Sequence, residues 1–278
     1  MNELELTSAD WLEPSWLVVP HVHALVTTRS GGVSLPPYGR WQDGMALPGG
    51  LNLGLRSGDD PAHVATNRAR LQASLGGHKV AWLDQVHGAQ IVRAEDALEP
   101  LDQGGALLQA DASVTAQRGL VCAVLVADCM PVLLCDAAGR AVGAAHAGWR
   151  GLAAGIVEQT AQRVAALAGT PMETLHAYLG PSIGPSVFEV GAEVREVFLD
   201  RAGEAQRAAT ARAFVAHPET PGKYFASLPA LARLRLVRAG VTQIAGGEHC
   251  TVTEQERFYS YRRDQVTGRM AALIWLAD

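Results

Sequence analysis

The chain has 278 residues, 48% of them hydrophobic and 18% charged, so it can bury a sizeable core and is expected to be soluble. Its formal net charge of -5 forms no basic stripe, which argues against nucleic acid as a partner. No stretch approaches the roughly 20 apolar residues of a membrane span and no basic leader opens the sequence, so we expect a cytoplasmic protein without membrane contact.

The first quarter of the chain is predicted to be mostly irregular. Residues 1–22 form an irregular lead-in, and residues 23–278 are expected to form one domain, beginning with a short strand at 23–27. Residues 28–54 are rich in glycine and proline without periodicity, which predicts an extended surface loop. A helix is predicted from the Asp-Asp-Pro at residues 59–61 to about Leu75, because proline suits the first helical turn.

The central part of the chain predicts a buried sheet followed by a helix. Residues 120–126 and 132–135 are continuous apolar runs, and residues 140–145 are a third strand candidate. Runs that are apolar on both faces belong inside layered sheets. Apolar residues then recur at helical spacing from Gly151 to Gly169, so a strand-to-helix turn is expected just before this helix.

The remaining pattern continues the alternation of strands and helices. It predicts strands at 175–179, 241–244, 258–262 and 269–275, helices at 192–198 and 227–238, and a solvated connection at 200–223. Neither an internal repeat nor a clear linker divides the sequence. The fold class is therefore α/β, in a single domain.

Three short segments each place one metal-ligating side chain beside turn-forming residues. His87 lies in QVHG, Cys129 in ADCMP and His146 in HAGWRG. Two imidazoles and one thiolate make three protein ligands, which is typical of a catalytic zinc site that leaves a fourth position for water or substrate. The same side chains permit a metal-free alternative, in which Cys129 is a nucleophile activated by His146.

The four cysteines are interpreted as reduced thiols, because their spacing does not resemble a secreted disulfide framework. Cys122 and Cys135 lie inside apolar runs and are interpreted as inert core. Cys129 differs from them because it follows the first run where the backbone must turn, and strand ends in α/β sheets are where functional sites collect.

The three segments resemble the signature segments of the laccase-domain family, whose members are also described as polyphenol-oxidase-like, purine nucleoside phosphorylase or peptidoglycan editing factor proteins. Further segments resemble this family in the same order, at residues 28–34, 51–54, 180–184, 188–191 and 258–264. The resemblance extends from about residue 23 to the C-terminus. It implies one α/β domain of mixed β-sheets sandwiched between helices, and a zinc site with His87, Cys129 and His146 as ligands.

The function implied by the resemblance is a zinc-dependent purine nucleoside enzyme. It would phosphorolyse adenosine, inosine and methylthioadenosine to the base and ribose 1-phosphate, with adenosine deamination as a second activity. The partners are then purine nucleosides and phosphate, and the protein is expected to be a monomer or a small homo-oligomer.

Two alternatives remain open. One is a Cys-His hydrolase or amidase that edits peptidoglycan precursors. The other, a copper-dependent polyphenol oxidase, is disfavoured because a multicopper centre needs many clustered imidazoles and the chain has only 9 His. Copper(II) nevertheless competes with zinc for a thiolate-imidazole site.

Cys129 and Asp128 are the candidate catalytic residues. Three roles are open for Asp128: it orients a ligand histidine, acts as a general acid or base, or caps a turn. We favour the first, because metal-bound imidazoles usually need a hydrogen-bond partner on their other nitrogen. Asn52 and Gln85 are candidates for hydrogen bonds to substrate.

The phosphate ligands are expected among arginines on glycine-flanked turns. Arg29 and Arg150 are the candidates, with Arg262 and Arg263 behind them, since a guanidinium matches the geometry of a phosphate. Trp149 is interpreted as a packing residue in preference to a platform for a base.

Overall fold

The structure, a computed structural model, describes residues 6–102 and 105–277; the first five residues of the predicted lead-in lie outside the described part. The strands are β1 Trp11–Leu12, β2 Val22–Thr27, β3 Ser30–Ser34, β4 Arg40–Gln42, β5 Met45–Leu47, β6 Lys79–Ala81, β7 Ile91–Arg93, β8 Ala112–Thr115, β9 Leu120–Val126, β10 Met130–Asp136, β11 Val142–Ala147, β12 Leu175–Leu179, β13 Glu189–Gly191, β14 Phe214–Ala216, β15 Lys223–Ala226, β16 Gln243–Gly246 and β17 Met270–Leu276. The helices are α1 Pro61–Ser74, α2 Ala94–Asp102, α3 Trp149–Ala154, α4 Ile156–Ala168, α5 Ala192–Arg201, α6 Glu204–Arg212, α7 Leu228–Arg238 and α8 Tyr261–Asp264.

Two mixed sheets form the centre of the fold. The first has five strands in the order β1-β2-β17-β9-β6, and only its β9–β6 pair is parallel. The second has six strands in the order β16-β12-β10-β11-β8-β7, with parallel pairs at its two ends. Smaller sheets, β13-β15-β14 and β4-β5, lie beside them.

The two large sheets pack face to face between two layers of helices. Alternation along β9 shows this, because Val121 and Ala123 belong to the apolar cluster that includes Leu71 of α1, whereas Cys122 faces the other sheet. Along β10, Leu133 faces the first sheet and Leu134 belongs to the cluster that contains α4 and α7. The predicted α/β fold, with mixed sheets sandwiched between helices, is confirmed.

Two chain segments cross from one large sheet to the other at the same edge of this sandwich. Residues 127–129 join the end of β9 in the first sheet to the start of β10 in the second. Residues 82–90 join β6 in the first sheet to β7 in the second. Because both crossing segments lie outside the named strands, their side chains can line a site where the layers meet.

The helix predicted from Gly151 to Gly169 begins two residues earlier and is interrupted. Gly155 adopts φ +91, which separates α3 from α4, and Gly169 adopts φ +60 where α4 ends. Left-handed backbone favours glycine, so both residues act as helix ends. The expected strand-to-helix turn is present, since β11 leads directly through Gly148 into α3.

Three sequence predictions were wrong. The predicted strand at 258–262 is a turn that leads into α8, because the Ser260 side chain caps that helix by accepting from the Arg263 backbone. The predicted loop at 28–54 contains β3 and the β4–β5 hairpin. The predicted connection at 200–223 contains α6 and β14, since Phe214 and Thr210 are buried in the fold.

No helix in the described part of the chain is both long enough and apolar enough to cross a lipid bilayer.

Candidate metal centre

His87, Cys129 and His146 come from three separate segments and meet at the edge where the two large sheets cross over. Their ligand atoms all lie within 4.8 Å of one another. The two imidazole rings are edge to face, with centroids 4.7 Å apart. His146 is buried, Cys129 is half-buried and His87 is exposed, so the cluster opens to solvent on the His87 side.

Strand register and unusual backbone angles bring these side chains together. Pro131 of β10 lies opposite His146 of β11, so Cys129, two residues earlier, lies beside the end of β11. His87 and Asp128 adopt φ values of 61° and 89°, in the left-handed region that costs free energy for residues other than glycine. Such strain is typical of functional sites, where the surrounding structure fixes the conformation.

Gly148 permits the close approach of the thiol. A Cβ atom at this position would lie 2.8 Å from Cys129 Sγ and 3.3 Å from His87 Cδ2. Its φ of -65° is accessible to any residue, so the constraint here is space and not backbone conformation. The packing of the donor atoms therefore requires Gly148, the first glycine of HAGWRG.

Asp111 organises two of the three donors. Its Oδ1 accepts from His146 Nδ1 at 2.8 Å and from the His87 backbone N–H at 2.9 Å, and its Oδ2 accepts from Gly88 N–H at 2.6 Å. The bond to Nδ1 leaves Nε2 of His146 to face the cluster. A buried carboxylate that orients a ligand imidazole is the usual partner at protein metal sites.

Electrostatics within the cluster favour a thiolate. Burial raises the pKa of the Cys129 thiol, but the adjacent His146 and His87 imidazoles outweigh this and lower it to about 6. Burial lowers the pKa of His146, whereas the Cys129 thiolate and Asp111 raise it, to about 9. Burial likewise raises the pKa of Asp111, and its hydrogen bonds from His146 and Gly88 reverse that effect. The pair is therefore a thiolate beside an imidazolium; the thiolate is the form of cysteine that binds metal, and His146 would release its proton when a metal binds.

The donor set fits a zinc ion by its chemistry. Imidazole nitrogen and thiolate sulfur are the ligands that zinc takes in proteins, and three of them leave one position open. Within residues 6–102 and 105–277, these three form the one group of His, Cys or carboxylate side chains arranged to hold an ion. The group could therefore bind a metal ion.

A cavity of about 790 Å³ opens over the cluster, and His87, Cys129 and His146 all line it. Its walls combine apolar side chains with a few charged ones. The apolar lining includes Leu55, Leu83, Leu107, Ile183, Phe188 and Leu228. The charged lining consists of Asp84, Asp128, Arg56, Arg68, Arg262 and Arg269. A mostly apolar cleft with convergent polar groups is typical of a small-molecule site.

Asp128 lines the cavity but does not orient a ligand histidine. Its carboxylate accepts from the Thr251 hydroxyl and from the Arg262 backbone N–H, both at 2.6 Å. These bonds fasten the Cys129 turn to the C-terminal loops. The orienting role predicted for Asp128 falls to Asp111, because only Asp111 reaches Nδ1 of His146.

Gln85 and Asn52 are both committed to the protein. Gln85 lines the cavity, yet its amide donates to the Leu125 carbonyl at 2.8 Å and accepts from the Leu125 N–H at 2.7 Å. Asn52 is buried; its amide donates to Ser57, and its Oδ1 accepts from the Gly54 and Arg269 backbones. Both side chains shape the cavity wall through the backbone that they hold.

Arg29 and Arg150 lie away from the cavity lining. The Arg29 guanidinium is buried and donates to the carbonyls of Gly39 and Gln255, so it joins two loops. Arg150 lies over the Trp149 ring, with its guanidinium carbon 4.6 Å from the centroid. Arg263 donates to the Thr251 and Val252 carbonyls.

The site residues predicted from the sequence do not include Asp111, Arg68 or Arg269. Asp111 directly precedes a strand and is an acidic residue in an otherwise small and apolar segment, which is the signal that could have indicated it. Arg68 lies on α1, and helical spacing puts it on the same face as the buried Val64 and Leu71; a charged residue at such a position is the signal that could have indicated it. Nothing in the local sequence distinguishes Arg269 from the neighbouring arginines.

The chain is similar to known proteins along nearly its whole length. A family model described as multi-copper polyphenol oxidoreductase laccase matches residues 23–277. The purine nucleoside phosphorylase YfiH of Escherichia coli is 48% identical over 95% of this chain and 97% of its own, and the purine nucleoside phosphorylase PA4543 of Pseudomonas aeruginosa is 45% identical over 96% and 99%. The crystal structure of Neisseria meningitidis protein NMB0706 superposes with a TM-score of 0.83, at 45% identity, over 97% of this chain and all of that one.

Proposed function

The chain belongs to the family described as multi-copper polyphenol oxidoreductase laccase, and from this premise we propose that it is a purine nucleoside phosphorylase with a zinc ion held by His87, Cys129 and His146. Its substrates are adenosine, inosine and methylthioadenosine, with adenosine deamination as a second activity. The relatives named as purine nucleoside phosphorylases support the substrate class. Catalysis is assigned to the cavity that these three side chains line.

The observation that carries this proposal is the placement of the His-Cys-His cluster on a cavity of about 790 Å³. That volume lies in the range of sites for small organic molecules. Phe188, Ile183 and Leu83 offer apolar surface to a purine, and the arginines of the lining offer positive charge to phosphate.

Phosphorolysis makes defined demands on this chain. Phosphate oxygen forms a bond to C1′ of the ribose as the C1′–N9 bond breaks, and the electron pair of that bond passes to the purine, which takes up a proton. The residues must therefore hold phosphate against the sugar and stabilise the negative charge that develops on the base. Zinc, when bound, supplies a Lewis acid at this position.

The family name suggests copper oxidation, but the donor groups argue against it. A multicopper oxidase needs several copper centres with many clustered imidazoles. The described residues bring together one cluster, with two imidazoles. We therefore place nucleoside chemistry ahead of polyphenol oxidation, with copper(II) only as a competitor for the zinc ligands.

One observation favours a second candidate, a Cys-His hydrolase or amidase that acts on peptidoglycan precursors. Cys129 lies next to His146, and Asp111 accepts from Nδ1 of that histidine at 2.8 Å, which is the order of groups in a Cys-His-Asp nucleophilic site. Metal content separates the two candidates, because this mechanism requires no ion.

The test combines product analysis with metal analysis. Purified protein is incubated with each nucleoside, with and without phosphate, and products are separated by chromatography while bound metal is measured by plasma mass spectrometry. We expect purine base and ribose 1-phosphate only when phosphate is present, about one zinc per chain, and loss of both zinc and turnover in Cys129→Ser. Nucleoside chemistry is the wrong assignment if wild-type protein forms no more product than His87→Ala. Two observations together would establish the hydrolase instead. The zinc-free protein would be active, and a thiol-directed acyl reagent would trap Cys129 in it.

A further inference from the structure

Four arginines line the cavity, and they differ in how they are held. Arg56 is exposed, with 78% of its side chain accessible, and forms an ion pair with Asp84. Arg262 is exposed and donates to the Glu189 carbonyl. Arg68 and Arg269 are the two less exposed arginines of the lining, and they have a different environment.

Both of these arginines are fixed by the same short turn, residues 52–54. Arg68 Nε donates to the Leu53 carbonyl at 2.9 Å, and its guanidinium carbon lies over the Trp82 ring, 4.1 Å from the centroid. The Arg269 backbone N–H donates to Asn52 Oδ1 at 2.9 Å, and a Cβ atom on Gly54 would lie 2.7 Å from Arg269 Cγ. The turn therefore packs between the two side chains and sets both in place.

Each of these two lining residues keeps guanidinium nitrogens that have no hydrogen-bond partner among the described residues. Arg269 Nη1 donates to the Thr267 and Gly268 carbonyls, which leaves Nε and Nη2 without a partner in the described part of the chain. Arg68 similarly uses only Nε, so Nη1 and Nη2 have no partner among the described residues. None of these four nitrogens is among the buried atoms that lack a partner, so all four are accessible to solvent.

No carboxylate in residues 6–102 or 105–277 forms an ion pair with Arg68 or Arg269. The two acids of the cavity lining are already engaged, Asp84 with Arg56 and Asp128 with Thr251 and the Arg262 backbone. Burial lowers the pKa of Arg68 to about 10, and burial also lowers the pKa of Arg269. The Cys129 thiolate and Asp128 raise the pKa of Arg269, but they offset burial only in part. Two partly buried cations without a direct ion-pair partner among the described residues favour the binding of an anion.

We infer that Arg68 and Arg269 form an oxyanion subsite that binds inorganic phosphate in the cavity beside the His-Cys-His cluster. A guanidinium offers parallel N–H donors that match phosphate oxygens, and fixing its plane in advance reduces the entropy lost on binding. The inference rests on the proposed phosphorolysis for the role of the anion, and on geometry alone for its binding.

The test measures binding of inorganic phosphate by isothermal titration calorimetry, independently of turnover. Arg68→Met and Arg269→Met are each expected to weaken binding about 10-fold or more, as the loss of charge-assisted hydrogen bonds predicts. Arg70→Met is the matched control, because Arg70 lies on the same helix and also donates to a backbone carbonyl, that of Gly31, but does not line the cavity. Wild-type affinity in both cavity variants, or failure of the wild type to bind phosphate, would overturn the inference.

A second measurement needs no variant. Phenylglyoxal, which modifies accessible arginines, is applied to wild-type protein with and without phosphate, and the modified sites are mapped by mass spectrometry. Phosphate is expected to protect Arg68 and Arg269 but not Arg40, which lies outside the cavity lining. Protection by a nucleoside 5′-monophosphate but not by phosphate would refute the assignment to free phosphate.

Kinetics then separate this inference from the proposed function. If the wild type phosphorolyses nucleosides, both cavity variants should raise KM for phosphate about 10-fold and leave KM for the nucleoside within about two-fold. Phosphate binding that depends on the two arginines, without any phosphorolysis, would retain the subsite and refute the function. Phosphorolysis with an unchanged KM for phosphate in both variants would retain the function and refute the subsite.

Discussion

Replacing Gly148 with alanine is expected to disable the metal centre while the fold survives. The new Cβ would lie 2.8 Å from Cys129 Sγ and 3.3 Å from His87 Cδ2. Ordinary contact between non-bonded heavy atoms is about 3.5–4.0 Å, so the sulfur must retreat by roughly 0.7–1.2 Å. Metal–ligand distances tolerate only about 0.2 Å, so the thiolate would leave its bonding position.

The cost to folding should be small by comparison. Gly148 is the residue before the first turn of α3, with φ -65° and ψ 162°, which alanine adopts without strain. Alanine is a poorer residue at this position than glycine, by about 0.5–1 kcal/mol, and part of this loss is offset because alanine restricts the unfolded chain. We therefore expect Gly148→Ala to remain folded and to bind zinc about 100-fold more weakly, since displacing a ligand should cost at least as much as losing its supporting hydrogen bond.

Gly203→Ala is the matched control for this substitution. Gly203 precedes α6 with φ -61° and ψ 155°, almost the same backbone conformation, and nothing lies within 4 Å of an added Cβ. Both variants should show a similar small change in unfolding free energy by urea denaturation. Zinc affinity, measured by competition with a chromophoric chelator, should fall only in Gly148→Ala. Wild-type zinc affinity in Gly148→Ala would refute the steric reasoning. An equal loss of zinc affinity in both variants would show that the effect comes from alanine at a helix start.

Three further predictions follow from the same contacts. Asp111→Asn should weaken zinc binding about 10–100-fold, because one amide cannot accept both from His146 and from the Gly88 backbone; unchanged affinity in the chelator competition would remove Asp111 from the centre. Removing zinc with a chelator should abolish turnover and lower Tm by roughly 5 °C, as the loss of about 2–3 kcal/mol of binding free energy predicts. The Tm of Cys129→Ser should not respond to the chelator. An unchanged Tm of the wild type in the presence of the chelator would exclude a bound ion. Asp136→Asn should lose about 2 kcal/mol of unfolding free energy at neutral pH, because the buried carboxylate accepts from Arg140 and from the Ala138 and Ala141 backbones. Burial raises the pKa of Asp136, and those hydrogen bonds lower it by more than burial raises it. The difference from wild type should therefore be full above the ordinary pKa of Asp and shrink as pH falls through the lowered pKa of the folded state; a difference that grows as pH falls would contradict the assignment.

The strands were predicted from hydrophobic periodicity, whereas the His-Cys-His cluster was predicted from residue type. Periodicity identified β9 and β10, because strands that are buried on both faces are apolar throughout. It failed at 258–262, where Ser260 caps a short helix, and at β3, where Ser30 and Ser34 pair with Gly50. Such strands are stabilised by cross-strand contacts that have no local signature.

The sequence by itself determined which side chains form the candidate metal site, since His87, Cys129 and His146 stand beside residues that force turns, and residue type defines which groups can bind a metal. Only the tertiary structure decided which groups support them. Asp111 replaces Asp128 as the orienting carboxylate, and Arg68 replaces Arg29 as a cation at the cavity, because burial and hydrogen-bond partners depend on how separate segments pack. Local sequence encodes the identity of a donor, but its partner lies on a segment that is distant in sequence, as Asp111 before β8 lies beside His146 of β11.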